Sequence, residues 1–487
     1  MFAGLLPTGL WEHFGRITRI PRPSGQETAI AQHIMSWAER RGFPSRRDAA
    51  GNLGVFVPES PRGLASPPIA LQAHLDMVCA REEDSRADPA RGEIRLVRDG
   101  EWIKADGSTL GADNGIAIAA MLHLAEAMEA PHGPIDLLFT VEEETTSGGA
   151  DRLDPTLLRA KTLLNLDSEE DGVLVAGSAG GIWSVLRWAA PQHPIPDGWK
   201  SLEVALSGLQ GGHSGLDISL HRMNGILGLV RILRAAADIP LCLCALEGGD
   251  AFNAIPRQAR AVVAYPSEEE AVIRRAIDAA GAELSDQHRD TEPGFSMRLA
   301  SPPEPPSSGY SLTDTQRLLD TLSVLPNGVL AMDQHIPGLV ETSCNVGLVA
   351  LDGPSVVVHS FARSSVTPAL HSVTAAIAAA AHLGGAEFSV VPPEGPCWQL
   401  DPDSPALALV QTTYRGLFGE EPRLRADHAF LECALIKKNN PDLDLVSFGP
   451  RIQDAHRPGE RVHIGSVERF SRLLSEVVGS FGREAQS

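Results

Sequence analysis

The chain has 487 residues, of which 43% are hydrophobic and 21% charged, an ordinary globular balance with room for two or three domains at roughly 100–200 residues each. Its 41 Lys and Arg against 62 Asp and Glu leave a formal charge of −21, which argues against a general nucleic-acid binder or a protein drawn to anionic membranes. The longest apolar runs, such as Gly115 to Leu122, fall well short of the roughly 18 residues of a membrane span. Met1 to Pro7 lacks the basic start and apolar stretch of a signal peptide. The cysteines at 79, 242, 244, 344, 397 and 433 form no C-x-x-C pair, and a reducing cytoplasm is the expected setting.

In chain order, the apolar run 68–73 follows a Pro- and Ser-rich loop and reads as a buried strand, as do 135–140 and 162–166. Between the first two lies a helical stretch from about 114 to 129, with Asp113 placed to cap its N-terminus. Strands alternating with helices at this spacing predict an α/β layer with a largely parallel sheet and helices on both faces. Near Gly180-Gly181 the texture changes to runs such as 201–206 and 355–360 paired with helices such as 223–237, which predicts an α+β domain. Residues 301–308, rich in Pro and Ser, read as an exposed loop inside it. The α/β texture returns after Pro396, with a strand at 443–448 and a closing helix at 466–478. The expected architecture is a discontinuous catalytic domain (1–185 and 394–487) with a second domain (186–393) inserted into it.

Chemistry-bearing residues fall where these strands end. The first strand runs into His74-Leu-Asp76, and residues two apart in extended chain point the same way, so Asp76 can hold one ring nitrogen of His74 and free the other for a metal. The second strand runs into Glu142-Glu143-Glu144, the third into Asp167-Ser-Glu-Glu170, and the late strand is followed by His456. Asp113 sits in a Gly-flanked turn at a helix start. Ligands in open α/β sheets gather beyond the carboxyl ends of the strands. Taken singly, each residue reads as an ordinary loop residue or helix cap, so spacing alone leaves a metal site and a set of solvated side chains both open. Charge counting points to two metals: Asp113, Glu144 and Asp167 with a bridging hydroxide balance two divalent cations. His74 and His456 add neutral nitrogens, a mixture suited to zinc, with cobalt or manganese as alternatives. Two such ions about 3.5–4 Å apart can share and acidify a water, and Glu143 stands next to a ligand as the general base.

His74-Leu-Asp76-Met-Val78, Gly111-Ala-Asp113-Asn-Gly115, Glu143-Glu144 and Asp167-Ser-Glu-Glu170 resemble the di-zinc peptidases that include carboxypeptidase G, aminoacylase and the carnosinases. Asp106 to Gly115, Gly177 to Gly181, Gly211-Gly-His-Ser-Gly215, Asn253-Ala-Ile-Pro-Arg257, Glu341-Thr-Ser343 with Asn345-Val-Gly347, and Ser447 to Pro450 with His456 resemble one branch, the aminoacyl-histidine (Xaa-His) dipeptidases. The resemblance runs from about residue 70 to the C-terminal helix. It implies that Asp113 bridges two metals, with His74 and Asp167 on one and Glu144 and His456 on the other, that Asp76 clamps His74, and that Glu143 is the base. It implies further that the inserted domain serves as lid and dimerisation domain. His213 would help hold substrate and oxyanion across a homodimer, and Asn253 and Arg363 would grip the substrate's C-terminal carboxylate. His428 is a further substrate-binding candidate. The chain carries Phe430 where the branch carries glycine, which leaves the substrate preference open.

The expected activity is therefore metal-dependent hydrolysis of dipeptides, Xaa-His or broader. An aminoacylase or deacetylase acting on N-acyl amino acids, or a catalytically silent binding protein on the same scaffold, are the alternatives. The sequence contains no G-x-S-x-G, G-x-G-x-x-G or H-E-x-x-H motif.

Overall fold

In the computed structural model, which describes residues 2–60, 66–352 and 355–484, the apolar runs anticipated as strands become neighbours in one eight-stranded sheet. Its centre is parallel, in the order Ile135–Thr140, Ile69–His74, Thr162–Asn165 and Asp444–Ser447. Every residue of Ile69–His74 and Ile135–Thr140 is buried, as a strand covered on both faces requires. Leu53–Val57 and Ser45–Arg47 extend one side antiparallel, and Val173–Ser178 runs antiparallel to Asp444–Ser447 on the other, with Arg423–Asp427 beyond it. The sheet is thus mixed around a parallel core, with helices on both faces. The Ala112–Ala127 helix connects two of the parallel strands. It is apolar all round and packs against the sheet as well as the Thr8–Ile17 and Ile464–Glu484 helices, which explains its nearly complete burial.

This sheet and its helices form one compact unit, made of the described residues within Met1–Gly177, Leu400–Ala426 and Leu431–Ser487. The second unit takes in Ser178–Gln399 and Asp427–Phe430. It is built on a nine-stranded sheet whose strand pairs are antiparallel, running from Ser296–Ala300 through Trp199–Ser207, Ala259–Pro266, Cys242–Gly248, Val340–Asp352, Ser355–Ser364 and Gly180–Ala189 to Glu387–Gly395, with Gly328–Met332 paired beside Val340–Asp352. Four helices, Gly225–Arg234, Glu270–Gln287, Leu312–Val324 and Thr367–Gly384, share one core with it, contributing Leu229, Ile277, Leu322 and Ile377. Strand period decides what is left on the opposite face: Val356, Val358 and Ala362 enter the core, so His359, Phe361 and Arg363 point away from it. The Pro- and Ser-rich segment runs as irregular, largely exposed chain up to the Ser308–Tyr310 strand. Among the described residues, no helix is long and apolar enough to cross a membrane.

Candidate metal centre

His74 is the last residue of the central Ile69–His74 strand, and Glu143, Glu144 and Asp167 lie just beyond the ends of the strands on either side. His456 comes from the loop between Ile452–Gln453 and Arg461–His463. The backbone here is unusual: Glu142 (φ 58°) and His456 (φ 63°) adopt left-handed conformations that side-chain-bearing residues rarely hold.

Asp113 stands at the middle. Its Oδ1 lies 2.9 Å from His74 Nε2 and its Oδ2 lies 3.0 Å from His456 Nε2. Asp167 Oδ1 approaches the same His74 nitrogen at 3.3 Å, and Glu144 Oε2 the same His456 nitrogen at 2.9 Å. Ligand atoms of His74, Asp113 and Glu144 all fall within 4.8 Å of one another. On the far side of the His74 ring, Nδ1 faces Asp76 Oδ1 at 3.4 Å. Asp76 also accepts the amides of Glu143 and Glu144, each at 3.1 Å, and the Ser24 hydroxyl at 2.7 Å, so one buried carboxylate orients the histidine and the acidic loop together.

The expectation that Asp113 caps its helix is not met. Gly111 (φ 66°) occupies the N-cap, Asp113 has non-helical dihedrals, and its carboxylate turns to the two histidines. The amides of the turn are taken instead by Glu460, which sequence reasoning missed. Also missed were Arg22, fully buried behind the turn, and Glu169. Beneath the site, Gln72 Nε2 donates to Thr140 Oγ1 (3.0 Å) and Glu432 Oε2 (2.7 Å), and Asn165 Nδ2 donates to Gln72 Oε1 (2.5 Å). Nothing in the local sequence distinguishes Gln72 or Asn165, because each gains its place only through a distant partner.

Crowded carboxylates leave an electrostatic signature. Burial opposes ionisation of Asp76, but His74 and Ser24 outweigh it and bring its pKa down to about 2. Asp113 is held far below the carboxylate range, its two histidines overcoming burial. Burial, with the neighbouring acids, pushes Asp167 up to about 6 and Glu169 up to about 8, and raises Glu143 well above its usual value. Asp113 and Glu144 together lift His456 to about 11. Buried acids packed this closely need cations to be ionised together. The donor set fits divalent metal: two imidazole nitrogens among carboxylates, and Glu144 Oε1 buried with no hydrogen-bond partner among the described residues. Replacing Asp113 by Asn keeps the shape but removes the shared charge. Competition with a chromophoric chelator is expected to show at least a hundredfold loss of divalent-metal affinity.

The second unit gathers the other candidates around Gly215, where an added Cβ would lie 3.1 Å from His213 Cε1 and 3.2 Å from Arg363 Nε and would collide with the carbonyl of His428. His213 Nδ1 accepts the amides of Gly215 (3.2 Å) and Leu216 (3.0 Å), which places the proton of the neutral ring on Nε2. Pairing of His213 with Ala254 brings Asn253 alongside, its carbonyl accepting the Ser214 amide at 2.9 Å. Arg363 is buried, lies 4.5 Å over the Phe361 ring, and has an Nε with no partner among the described residues; burial lowers its pKa to about 10. His428 Nε2 meets Ser343 Oγ at 2.7 Å, and burial followed by Arg363 depresses its pKa to about 4. A depressed histidine contributes stability above the unfolded pKa of 6.5 that is lost as pH falls through about 4, because the unfolded chain takes up the proton first. Thermal unfolding of His428→Gln is therefore expected to lose less stability than wild type between pH 7 and pH 4.5.

Comparison with known proteins agrees with this geometry. The profile of Peptidase family M20/M25/M40 matches residues 70–480. The chain is 36% identical over 477 residues to the cytosol non-specific dipeptidase of Escherichia coli (strain K12), covering 97% of this chain and 98% of that protein. The crystal structure of the aminoacylhistidine dipeptidase from Vibrio alginolyticus matches with a TM-score of 0.94 at 35% identity, over 99% of this chain and 98% of that one. Aminopeptidase PepT from Bacillus cereus ATCC 10987 shares the fold alone, with a TM-score of 0.57 at 14% identity over 98% of this chain and 99% of that one. The chain belongs to peptidase family M20/M25/M40.

Proposed function

We propose that the protein is a metal-dependent dipeptidase hydrolysing dipeptides of Xaa-His type or of broader range, as a cytoplasmic homodimer. The observation that carries the reading is the meeting of His74, Asp113 and Glu144 within ligand distance of one another at the carboxyl ends of the strands. The dipeptidases from E. coli and V. alginolyticus, similar over nearly the whole chain, supply the substrate class.

Two divalent ions, zinc with cobalt or manganese as alternatives, would be held by His74 and Asp167 on one side and Glu144 and His456 on the other, with Asp113 shared. When bound, they supply the Lewis acidity that polarises the scissile carbonyl and acidifies a water. Asp76 holds the His74 proton on Nδ1 and leaves Nε2 free as a ligand. Glu143 takes the proton of the attacking water and delivers it to the leaving amine nitrogen. Burial, helped by Asp167, Glu432 and Asp113 and opposed by His74, favours holding a proton once it has been taken. In the second unit, which acts as lid and dimerisation domain, the His213 Nε2–H is the donor for the developing oxyanion. Arg363, a buried guanidinium given no carboxylate by its own unit among the described residues, grips the substrate's C-terminal carboxylate with Asn253, and His428 supports that pocket. An apolar surface near His213, with Leu216, Leu220, Leu330 and Met332 exposed between 44% and 63%, supports association of two copies.

Metal-reconstituted protein assayed against Xaa-His dipeptides, other dipeptides and N-acetyl amino acids tests the reading. Turnover of dipeptides is expected, and turnover confined to N-acetyl amino acids would replace the reading with an aminoacylase. Glu143→Gln is expected to keep its metal and lose about 10²–10⁴-fold in kcat. Arg363→Ala is expected to raise KM about tenfold or more, the loss of a charge-assisted pair, with a smaller effect on kcat.

A further inference from the structure

We infer that Glu460 is a positioning residue that presets the spacing of the metal ligands His456 and Asp113, with Arg22 as its counterpart on the other side of the Asp113 turn. The inference rests on the metal reading of the centre and concerns how the chain holds that centre open for ions.

The turn 110–113 leaves its backbone groups to be satisfied from outside, as helix starts do. One carboxylate does so: Glu460 Oε2 accepts the amides of Leu110 (2.8 Å) and Gly111 (2.9 Å), and Oε1 those of Ala112 (2.7 Å) and Asp113 (3.3 Å). The four N–H groups converge on one carboxylate and stabilise it there. Arg22 takes the carbonyl side of the same turn. Its Nη2 donates to Gly111 O (2.5 Å), and its Nη1 to Leu75 O (3.0 Å) and Asp76 O (2.6 Å), which ties the turn to the chain leaving His74. Both side chains are buried, at 2% exposure for Glu460 and 1% for Arg22. Gly111 and Gly115 are glycines for this reason: a Cβ would stand 2.6 Å and 2.9 Å from Arg22 Nη2.

The position of Glu460 in the chain makes this more than a cap. It ends the loop that carries His456, and the Gly459 amide reaches Ser108 O at 3.1 Å, so the His456 loop is bound to the Asp113 turn by side chain and backbone alike. Asp113 meets His456 at 3.0 Å because both loops hang on this carboxylate. A strong dipolar clamp on the backbone leaves the Asp113 side chain free for ligation, where an ordinary capping Asp would be spent on the amides.

Glu460→Gln tests this, since it keeps length and shape but turns one acceptor into a donor facing two N–H groups. The measurements are zinc affinity by chelator competition and the visible spectrum of the cobalt-substituted protein, with a distant core variant, Val477→Ala, as a control for lost stability. The expected result is zinc affinity ten- to a hundredfold weaker for Glu460→Gln and an altered cobalt spectrum, with Val477→Ala binding as wild type. Should Glu460→Gln fail to fold, Arg22→Lys, which keeps the charge but loses the fork, is expected to weaken zinc affinity in the same way. Wild-type zinc affinity and cobalt spectrum in the folded variants would overturn the inference and leave the dipeptidase reading intact. Failure of the wild type itself to bind zinc would instead remove the metal reading.

Discussion

Mutual repulsion of buried carboxylates is the constraint around which the first unit is organised. Asp76, Asp113, Glu143, Glu144, Asp167 and Glu169 are brought to the ends of parallel strands, where burial raises the cost of ionising several of them. Within this group the structure separates roles by environment. Asp76 and Asp113 are held ionised by histidines and donors, while Glu143 and Glu169 are pushed toward the protonated form. Acids driven apart in this way are what a site dividing metal ligation from proton transfer among its carboxylates would need.

The parallel sheet is what makes such crowding affordable. Three of its central strands, and the loops beyond them, deliver their polar residues to one edge, while Ile69–His74 and Ile135–Thr140 stay buried along their whole length. The second unit solves a complementary problem with alternation. Its core takes every second residue of Ser355–Ser364, which leaves Arg363 and Phe361 together on the other face. Gly215 then lets His213, Arg363 and His428 come within touching distance.

Much of this was legible in the sequence. The strands ending at His74, Thr140 and Asn165 were marked by short apolar runs, and the acidic and imidazole residues after them by position alone. The unread parts are those made by long-range pairing. Asp113 before an apolar helix has the pattern of a cap, and only the arrival of Glu460, some 350 positions later, shows that the amides are already taken. Arg22, Gln72 and Asn165 carry no motif because their partners, backbone carbonyls for Arg22 and side chains for the other two, lie in other segments. Glu169 stood inside a recognised motif without a role, and its environment becomes visible only once Asp113 and Asp167 are seen beside it.

Metal stoichiometry against rate is the most direct measurement on the central claim. Metal-free protein titrated with zinc, with bound ion and dipeptide hydrolysis followed in the same samples, is predicted to gain activity as the centre fills and to level off near two ions per chain. Protein that retains no zinc with His74, Asp113, Glu144, Asp167 and His456 intact, or that hydrolyses dipeptides at full rate without it, would contradict the account.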